Sequence, residues 1–346
     1  MNQLKSFASD NNSPAHDKVL RAMTEVNKGD AIAYGDDIHT LEAERRFREI
    51  FGKDISVFLM LTGTGANVAA LAHITRPYHA IICSDKSHLE NDECAAPEKV
   101  TGCKLIRIPS SDGKIRKEQI EPLLKSKGFQ HHAQPKVISI TQSTELGTVY
   151  QPDEIREIAR FANENDLYLH MDGARIANAA AGLDCTLAET SKFSGVDVLS
   201  FGGTKNGAVN AEALVFFNRE LAREFEYTRK QSMQLTSKMR YVSAQFNALF
   251  YGDLWLENAR HANKMARLLA GRLRDIEDIR ITQNVEANAV FATMPPQAIE
   301  ILQRQYFFYI WDKERNEVRW MTSFNTTEKD IDDFVSAIRI SLEKIS

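Results

Sequence analysis

The stretch LSFGGTKNGA, from Leu199 to Ala208, places a lysine in a glycine-flanked turn directly after a short apolar segment. The apolar residues before Gly202 are typical of a buried strand that ends at the turn. Taken alone, Lys205 is better explained as a surface charge than as an amine that takes part in chemistry. The sequence on either side of the stretch has to distinguish these two interpretations.

The chain before Lys205 alternates between short apolar segments and amphipathic ones. The apolar segments predict strands at DISVFLML, AIIC, KLIRI, KVISI, LYLHM and DVLSF. The segments between them predict helices at GTGANVAALAHI, KEQIEPLLKSK and PDEIREIARFANEND. ALVFFN, after Lys205, predicts a further strand. We therefore predict an α/β fold with a mostly parallel, seven-stranded-type sheet flanked by helices.

The pattern changes after about residue 220. Residues 221–275 have an almost entirely helical pattern, and the strand-like segments IRIT, NAVFATM, YFFYIW and EVRWMTSF follow them. EKDIDDFVSAIRISLEKI predicts a final amphipathic helix with Thr326 or Thr327 as its N-cap. The sequence thus predicts an N-terminal segment plus large α/β domain over 1–220, a helical connection over 221–275 and a small C-terminal α+β domain over 276–346.

Composition narrows the class of protein. The chain has 346 residues, of which 43% are hydrophobic, and a formal net charge of -4, so nucleic-acid binding is not favoured. We find neither the apolar core of a signal peptide nor an apolar run that could span a membrane. The four cysteines form no CxxC pair and no zinc-type cluster. We expect a cytoplasmic protein without a metal site.

Four polar clusters follow predicted strands. They are Thr62–Gly65, Asp85–His88, His170–Arg175 and Gly203–Lys205. Because ligands of open α/β sheets bind beyond the carboxyl ends of the strands, these clusters are expected to converge on one site.

The first cluster suggests a phosphate site. Gly63, Thr64 and Gly65 lie between a strand and a helix, where free backbone N–H groups attract phosphate, although an ordinary tight turn explains them equally well. A dinucleotide fingerprint would need a glycine in place of Val68. Asp85, at the end of a following strand, keeps an NAD-dependent oxidoreductase open as an alternative.

The segment HMDGAR places a carboxylate, Asp172, at a strand end. A structural ion pair with Arg175 is one explanation. The other is that Asp172 stabilises the protonated pyridine nitrogen of pyridoxal 5'-phosphate, since an opposite charge raises the pKa of that nitrogen. Together with the phosphate-type turn, the ordered set favours Lys205 as a lysine that forms a Schiff base.

Three further residues have open assignments. His88, after the strand AIIC, is either structural or stacks on a planar cofactor and transfers protons near neutral pH. Glu93 belongs to the acidic run ENDE, which a solvated face also explains. Arg319, in EVRWMTSF, either binds a substrate carboxylate bidentately or lies exposed on an edge strand.

With these residues in place, the chain resembles the low-specificity threonine aldolases, which are fold-type I pyridoxal phosphate enzymes of the aspartate-aminotransferase type. The resemblance covers nearly the whole chain and is strongest where HMDGAR is followed by GGTKNG. It implies a major domain like that of pyridoxal-phosphate-dependent transferases and an amino-acid substrate. It also implies a homodimer or homotetramer with active sites at the subunit interface.

The resemblance also implies a role for each site residue. Lys205 forms the Schiff base, Asp172 pairs with the pyridine nitrogen, and His88 stacks on the ring. Cofactor binding is expected of Gly63, Thr64, Gly65, His88, Asp172, Arg175, Thr204, Lys205 and Arg240. Lys238 or Arg240 matches a basic residue offered to the phosphate of a neighbouring subunit. The substrate carboxylate is expected to contact Ser9, Arg175 and Arg319.

The sequence departs from many family members in the loop Gln142–Glu145, which lacks the histidine that they place near the substrate hydroxyl. His88, Glu93 acting through water, and Glu145 therefore remain candidates for the catalytic base. The implied reaction is retro-aldol cleavage of threonine or allo-threonine to glycine and acetaldehyde. A phenylserine-type aldolase and a β-eliminating amino-acid lyase are the alternatives within the same class.

Overall fold

The computed structural model describes residues 5–345 of the chain. Its strands are β1 Ser56–Met60, β2 His79–Ser84, β3 Lys104–Ile108, β4 Gln134–Thr141, β5 Tyr168–Gly173, β6 Val198–Gly202, β7 Glu212–Phe216, β8 Arg280–Ile281, β9 Ala289–Thr293, β10 Tyr309–Asp312 and β11 Glu317–Met321. Its α-helices are α1 Asp17–Glu25, α2 Ile38–Phe51, α3 Gly63–Ile74, α4 His88–Asn91, α5 Ala96–Thr101, α6 Lys117–Ile120, α7 Pro152–Glu164, α8 Ile176–Leu183, α9 Phe225–Gln231, α10 Arg240–Phe250, α11 Leu254–Leu273, α12 Pro296–Gln303 and α13 Glu328–Glu343.

Within residues 5–345, seven strands form the larger sheet in the order β1-β7-β6-β5-β4-β2-β3. Strands β2 to β6 run parallel to one another, whereas β7 is antiparallel to both β6 and β1. Parallel neighbours need long crossovers, and helices such as α7 and α8 supply them. The prediction of a mostly parallel seven-stranded sheet flanked by helices is confirmed.

The strand order contradicts the dinucleotide alternative. That fingerprint needs β1, α3 and β2 to form a unit with adjacent parallel strands. In the sheet, β1 is an edge strand paired only with β7, and β2 lies between β4 and β3. Asp85 accepts a hydrogen bond from the Ser110 N–H at 2.9 Å, so its carboxylate closes a local turn. An NAD-dependent oxidoreductase is therefore the wrong interpretation.

A second, antiparallel sheet of four strands lies in the C-terminal part of the described chain, in the order β10-β11-β9-β8. The helix α13 begins after Thr327, whose hydroxyl accepts a hydrogen bond from Asp330 N at 3.1 Å, so Thr327 rather than Thr326 is the N-cap. The N-terminal segment pairs with the chain just before β10, because the Phe7 N–H donates to the Phe307 carbonyl at 2.8 Å. The division at residues 220 and 275 stays a prediction.

Each sheet has its own aromatic core. In the larger one, Phe47 and Phe201 pack edge to face with ring centroids 5.4 Å apart. In the smaller one, Trp320 and Phe334 pack in the same way at 5.4 Å. No helix within residues 5–345 is long and apolar enough to cross a membrane.

Candidate active site

Two neighbouring parallel strands bring the two strongest sequence predictions together. Asp172 on β5 lies opposite Ser200 on β6, so both strands end at the same edge of the sheet. Lys205 follows β6 in a short 3-10 turn, Thr204–Asn206. The charges of Lys205 and Asp172 lie close enough to shift the pKa of each other. The convergence expected at the carboxyl ends of the strands is thus found for this pair.

The turn that holds Lys205 depends on its glycines. A Cβ on Gly203 would lie 2.7 Å from the Ala211 carbonyl oxygen, and Gly207 has a φ of 102°. Within residues 5–345, the Lys205 amine makes no hydrogen bond and no ion pair. Burial and the neighbouring Arg175 lower the pKa of Lys205. Its Nζ is thus more easily deprotonated than that of a surface lysine, as a nucleophilic amine requires.

Asp172 is a buried carboxylate with fixed partners. It is 5% exposed, and it accepts hydrogen bonds from Asn67 Nδ2 at 2.8 Å and from the Ala174 N–H at 3.0 Å. Burial alone would raise the pKa of Asp172, but the charges of Lys205 and His88 and these hydrogen bonds hold that pKa below its usual value. The site therefore contains a permanent negative charge beside Lys205.

Arg175 does not pair with Asp172, so the structural ion pair considered from the sequence is wrong. Its guanidinium instead donates to Asp10, from Nε to Oδ2 at 2.7 Å and from Nη2 to Oδ1 at 2.9 Å. Asp10 is 1% exposed, and 165 residues separate it from Arg175 in the sequence. Asp172 remains free of a cationic side-chain partner in direct contact within the described residues.

His88 and Glu93 form a pair at the end of β2. The Nδ1 atom of His88 lies 3.0 Å from Glu93 Oε1, which also accepts a hydrogen bond from Asn67 Nδ2 at 3.0 Å. The hydrogen bond to Glu93 raises the pKa of His88, although burial opposes it. The Glu93 side chain is 0% exposed and orients the imidazole, and its role as a base acting through water stays a prediction.

Glu145 is a second buried carboxyl group beside His88. Its Oε1 accepts hydrogen bonds from the His88 N–H at 2.7 Å and from the Thr141 hydroxyl at 2.9 Å. Its Oε2 is buried without a hydrogen-bond partner within residues 5–345. Burial and the nearby charge of Asp172 raise the pKa of Glu145 to about 7. Glu145 therefore fixes the main chain of His88 through this hydrogen bond. Below neutral pH its carboxyl group is largely protonated and uncharged.

The raised pKa of Glu145 predicts a pH effect on stability. A carboxyl group that binds its proton more tightly in the folded state stabilises the fold below its unfolded pKa, and this contribution is lost as pH rises through the folded pKa. Relative to Glu145→Gln, the wild type should therefore lose on the order of 2–3 kcal/mol of unfolding free energy between pH 5 and pH 8. Urea denaturation of both proteins at several pH values measures this difference. Parallel pH profiles would contradict the assignment.

The start of α3 provides a site for an anion. Thr62 caps the helix, since its hydroxyl accepts a hydrogen bond from the Gly65 N–H at 3.1 Å. The N–H groups of Gly63 and Thr64 make no hydrogen bond within the described part of the chain. A Cβ on Gly65 would lie 2.3 Å from Gln234 Nε2. Glycine at this position therefore leaves room for the Gln234 side chain at the start of α3. These free N–H groups at a helix N-terminus fit a phosphate.

Thr204, which is expected to bind the cofactor, is fixed to the start of β7 by its hydroxyl group, and its role toward the cofactor stays a prediction. Its hydroxyl oxygen accepts a hydrogen bond from the Ala211 N–H at 3.2 Å, and the hydroxyl also hydrogen-bonds to the Glu212 carboxyl group. Burial raises the pKa of Glu212 to about 7, although Thr204 and Lys205 oppose this. Thr204 therefore anchors the Lys205 turn to β7.

Arg319 is partly buried on β11, which lies between β10 and β9, so it is not an exposed edge-strand arginine. Its guanidinium lies 4.7 Å from the centre of the Trp311 ring, and Nη2 donates to the Ala8 carbonyl at 3.2 Å. Its Nε is buried without a partner within residues 5–345. Burial, with a contribution from the charge of Arg175, lowers the pKa of Arg319 to about 10. A desolvated guanidinium that has an unpaired N–H group can bind a carboxylate.

The other predicted ligands are placed differently. Ser9 directly precedes Asp10 and caps a short 3-10 turn, in which its hydroxyl accepts from the Asn11 N–H at 3.2 Å. Arg240 donates to the Gly29 carbonyl at 3.0 Å, whereas Lys238 is exposed. Neither basic side chain contacts Lys205 or Asp172 within the described residues. Their predicted role toward a neighbouring subunit stays a prediction.

Four contributors to this site were not found from the sequence, namely Asp10, Asn67, Glu212 and Gln234. Asn67 was the easiest of them to predict from the sequence, because it is a polar residue inside the alanine-rich segment GTGANVAALA. Asp10 and Gln234 lie far along the chain from Arg175 and Leu61, their partners, whereas Glu212 lies close to Thr204 in the sequence. The local sequence around these three residues has no pattern that marks them.

The donor set fits pyridoxal 5'-phosphate. Lys205 offers an amine with a lowered pKa, Asp172 offers a buried negative charge for a ring nitrogen, and the start of α3 offers free N–H groups for phosphate.

Comparison with known proteins agrees with this chemistry. Residues 6–295 match the model of the β-eliminating lyase family. The low specificity L-threonine aldolase of Pseudomonas aeruginosa is 43% identical over 338 residues, which cover 97% of each chain. Its counterpart from a Pseudomonas species is 42% identical over 97% of this chain and 98% of its own. The solved structure of Leishmania major threonine aldolase superposes with a TM-score of 0.92 at 31% identity, covering 97% of this chain and 99% of its own.

The chain therefore belongs to the β-eliminating lyase family and is a lyase that depends on pyridoxal 5'-phosphate. The resemblance to the low-specificity threonine aldolases that the motifs indicated is confirmed.

Proposed function

We propose that this lyase cleaves a β-hydroxy-α-amino acid between Cα and Cβ, and that it converts threonine or allo-threonine to glycine and acetaldehyde. The observation that supports the proposal is the convergence of Lys205, Asp172 and His88 at one edge of the larger sheet. The reaction needs an amine that binds the cofactor, a charge for the ring nitrogen and a group that accepts the hydroxyl proton. The alternatives of phenylserine cleavage and β-elimination use the same cofactor residues.

Lys205 and Asp172 hold the cofactor in this proposal. When bound, pyridoxal phosphate supplies an electron sink for the pair released at Cα. The Nζ atom of Lys205 would hold the cofactor covalently, because its lowered pKa leaves an amine that can act as a nucleophile. The carboxylate of Asp172 keeps the ring nitrogen protonated, because a negative charge in a desolvated site raises the pKa of a nearby nitrogen.

Arg175, Arg319 and Ser9 bind and orient the substrate carboxylate. The guanidiniums of Arg175 and Arg319 are both largely desolvated, so a carboxylate between them gains strong charge-assisted hydrogen bonds. Fixing the carboxylate fixes the direction of the Cα–Cβ bond. Such positioning lowers the barrier by several kcal/mol in favourable cases.

His88 accepts the proton of the β-hydroxyl group. Its Nδ1 is bound to Glu93, which leaves Nε2 for the substrate. The imidazole has to be neutral to act as a base, and Glu93 holds the pKa of His88 above 6.5. Turnover should therefore rise with pH as His88 loses its proton.

Replacing His88 with phenylalanine separates stacking from proton transfer, because an aromatic ring remains and the proton acceptor is lost. We expect normal cofactor binding, a fall in kcat of about 10²-fold or more, and loss of the acidic limb of the pH profile. Cofactor absorbance and steady-state kinetics across pH measure these effects. A fall of only a few-fold would assign His88 to stacking alone.

Two matched variants control this experiment. Glu93→Gln should move the acidic limb to lower pH, since it removes the charge that raises the pKa of His88. His73→Phe changes a histidine that packs on Phe225 at 5.2 Å, and it should leave both kcat and the pH profile unchanged.

The direct test of the proposed function is product analysis with a substrate panel. Purified protein is loaded with pyridoxal phosphate and incubated separately with L-threonine, L-allo-threonine, phenylserine and serine. Equal amounts of glycine and the matching aldehyde from one of the first three substrates support aldol cleavage. Ammonia and a 2-oxo acid, without glycine, would show β-elimination instead.

The assembly and compartment are also proposals. We propose a homodimer or homotetramer, because the apolar side chains Ile32, Ile38 and Met233 are 69%, 71% and 82% exposed. We propose a cytoplasmic location, because the four cysteines are unpaired, as expected in a reducing compartment. Light scattering coupled to size exclusion measures the assembly, and cell fractionation measures the location.

A further inference from the structure

We propose that Asp10 is a positioning residue for the substrate-carboxylate site. It fixes the guanidinium of Arg175, and with its two preceding residues it sets the spacing between Arg175 and Arg319. The inference rests on one part of the proposed function, which is that Arg175 and Arg319 bind the substrate carboxylate.

The contacts of Asp10 join three parts of the molecule. Its carboxylate receives the paired hydrogen bonds from Arg175 described above, and a third from Asn288 Nδ2 at 3.1 Å. Asn288 Nδ2 also donates to the Thr322 carbonyl at 2.7 Å, just beyond β11. A bidentate pair with both partners desolvated fixes the plane and the rotamer of the guanidinium. Asp10 thus determines where the remaining N–H groups of Arg175 point.

The residues before Asp10 hold the second arginine. The Ala8 carbonyl accepts a hydrogen bond from Arg319 Nη2 at 3.2 Å. The Phe7 carbonyl accepts one from the Met321 N–H at 2.7 Å, which anchors the segment to the end of β11. Ala8 and Asp10, two positions apart in one short segment, therefore hold the two guanidiniums. The hydroxyl of Ser9, the residue between them in the sequence, donates to Asp10 Oδ1 at 3.4 Å.

The same segment continues to the lysine turn. The His16 N–H donates to the Gly207 carbonyl at 2.8 Å, and Gly207 ends the turn that contains Lys205. The segment from Phe7 to His16 thus links the carboxylate site to the cofactor lysine. A shift of Asp10 would alter the position of the substrate relative to Lys205.

Charge balance supports the same role. Arg175 and Arg319 repel each other, and Asp10 opposes this effect on Arg319. Burial alone would raise the pKa of Asp10, but Arg175 and Lys205 hold that pKa below its usual value, so the group stays ionised. Within residues 5–345, Arg175 Nη1 has no hydrogen-bond partner. This Nη1 group is therefore available to the substrate carboxylate, whereas Asp10 itself does not contact the substrate.

Asp10→Asn tests the inference, because it is nearly isosteric and removes the charge. We expect the KM for threonine and the dissociation constant for glycine to rise about 10-fold or more, and kcat to fall by a smaller factor because Arg319 still holds the substrate carboxylate. Cofactor loading should be normal. Asp197→Asn is the matched control, since Asp197 is a carboxylate bound to the Leu169 N–H at 2.9 Å near the opposite end of β5. It should leave KM and glycine affinity unchanged.

A double-mutant cycle separates positioning from a general structural role. If Asp10 acts through Arg175, adding Asp10→Asn to Arg175→Ala should weaken glycine binding by less than about 2-fold further. Additive effects, or an unchanged KM in well-folded Asp10→Asn, would overturn the inference.

A further variant covers the case in which Asp10→Asn does not fold. Asp10→Glu keeps the charge and displaces it by one methylene, so it should also raise KM, and an unchanged KM would again overturn the inference. If the wild type binds glycine but cleaves no β-hydroxy amino acid, the proposed function fails, whereas the effect of Asp10 on glycine affinity still tests this inference.

Discussion

Replacing Lys205 with alanine is expected to abolish aldol cleavage, with kcat reduced by about 10³-fold or more. The yellow absorbance of the lysine-bound cofactor should disappear with it. The physical reason is that Lys205 provides the amine of lowered pKa beside Asp172. The fold should stay intact, because the Lys205 amine makes no hydrogen bond or ion pair within residues 5–345. Absorbance spectroscopy and product analysis measure both effects.

Lys136→Ala is the matched control for this prediction. Lys136 donates to the Asp166 carbonyl at 2.9 Å near the start of β4, so its loss should leave absorbance and kcat unchanged. Substantial aldolase activity in folded Lys205→Ala would refute the assignment of the cofactor lysine.

Asp172→Asn should retain cofactor but reduce kcat by about 10²-fold or more. The substitution removes the negative charge that keeps the ring nitrogen protonated, so electron withdrawal from Cα is weakened. In the variant, Oδ1 of the new asparagine can still accept a hydrogen bond from the Ala174 N–H. Its Nδ2 replaces the oxygen that accepts from Asn67 Nδ2 in the wild type, so that hydrogen bond is lost. Steady-state kinetics and cofactor content measure the outcome.

Asn67→Ala controls for the local change, because it removes the hydrogen bond to Asp172 and keeps the charge. It should reduce kcat far less than Asp172→Asn. Unchanged kinetics in cofactor-loaded Asp172→Asn would eliminate the proposed role of the charge.

The sequence predicted the parts of the fold and the site that depend on local pattern. Short apolar segments marked the strands, and glycine-flanked turns marked Lys205 and the start of α3. Because the carboxyl ends of parallel strands meet at one edge, the neighbourhood of Asp172 and Lys205 followed from the predicted sheet. The place of β1 at the far edge, antiparallel to β7, could not be predicted, since nothing local specifies strand order.

Side-chain partners were predicted less well. An ion pair between Arg175 and Asp172 was one of two explanations of their spacing, and Arg175 pairs instead with Asp10, which is 165 residues away. The hydroxyl of Thr204 hydrogen-bonds to Ala211, next to β7, a contact that the sequence did not suggest. A solvated face was one explanation of Glu93, and its side chain is instead buried against His88. The partner of Arg175 depends on which distant segment packs against it, whereas the partners of Thr204 and Glu93 depend on how the nearby turns fold. A single sequence does not encode either in a readable pattern.

The central claim is that Lys205 holds the cofactor in a lyase of this family. It is tested most directly by borohydride reduction of the cofactor-loaded protein, followed by proteolysis and mass spectrometry. Reduction makes the bond between cofactor and lysine permanent, so the modified residue can be identified. We predict a single pyridoxyl-modified peptide, with the modification on Lys205. Modification of a different lysine, or none in protein that is yellow before reduction, would contradict the account.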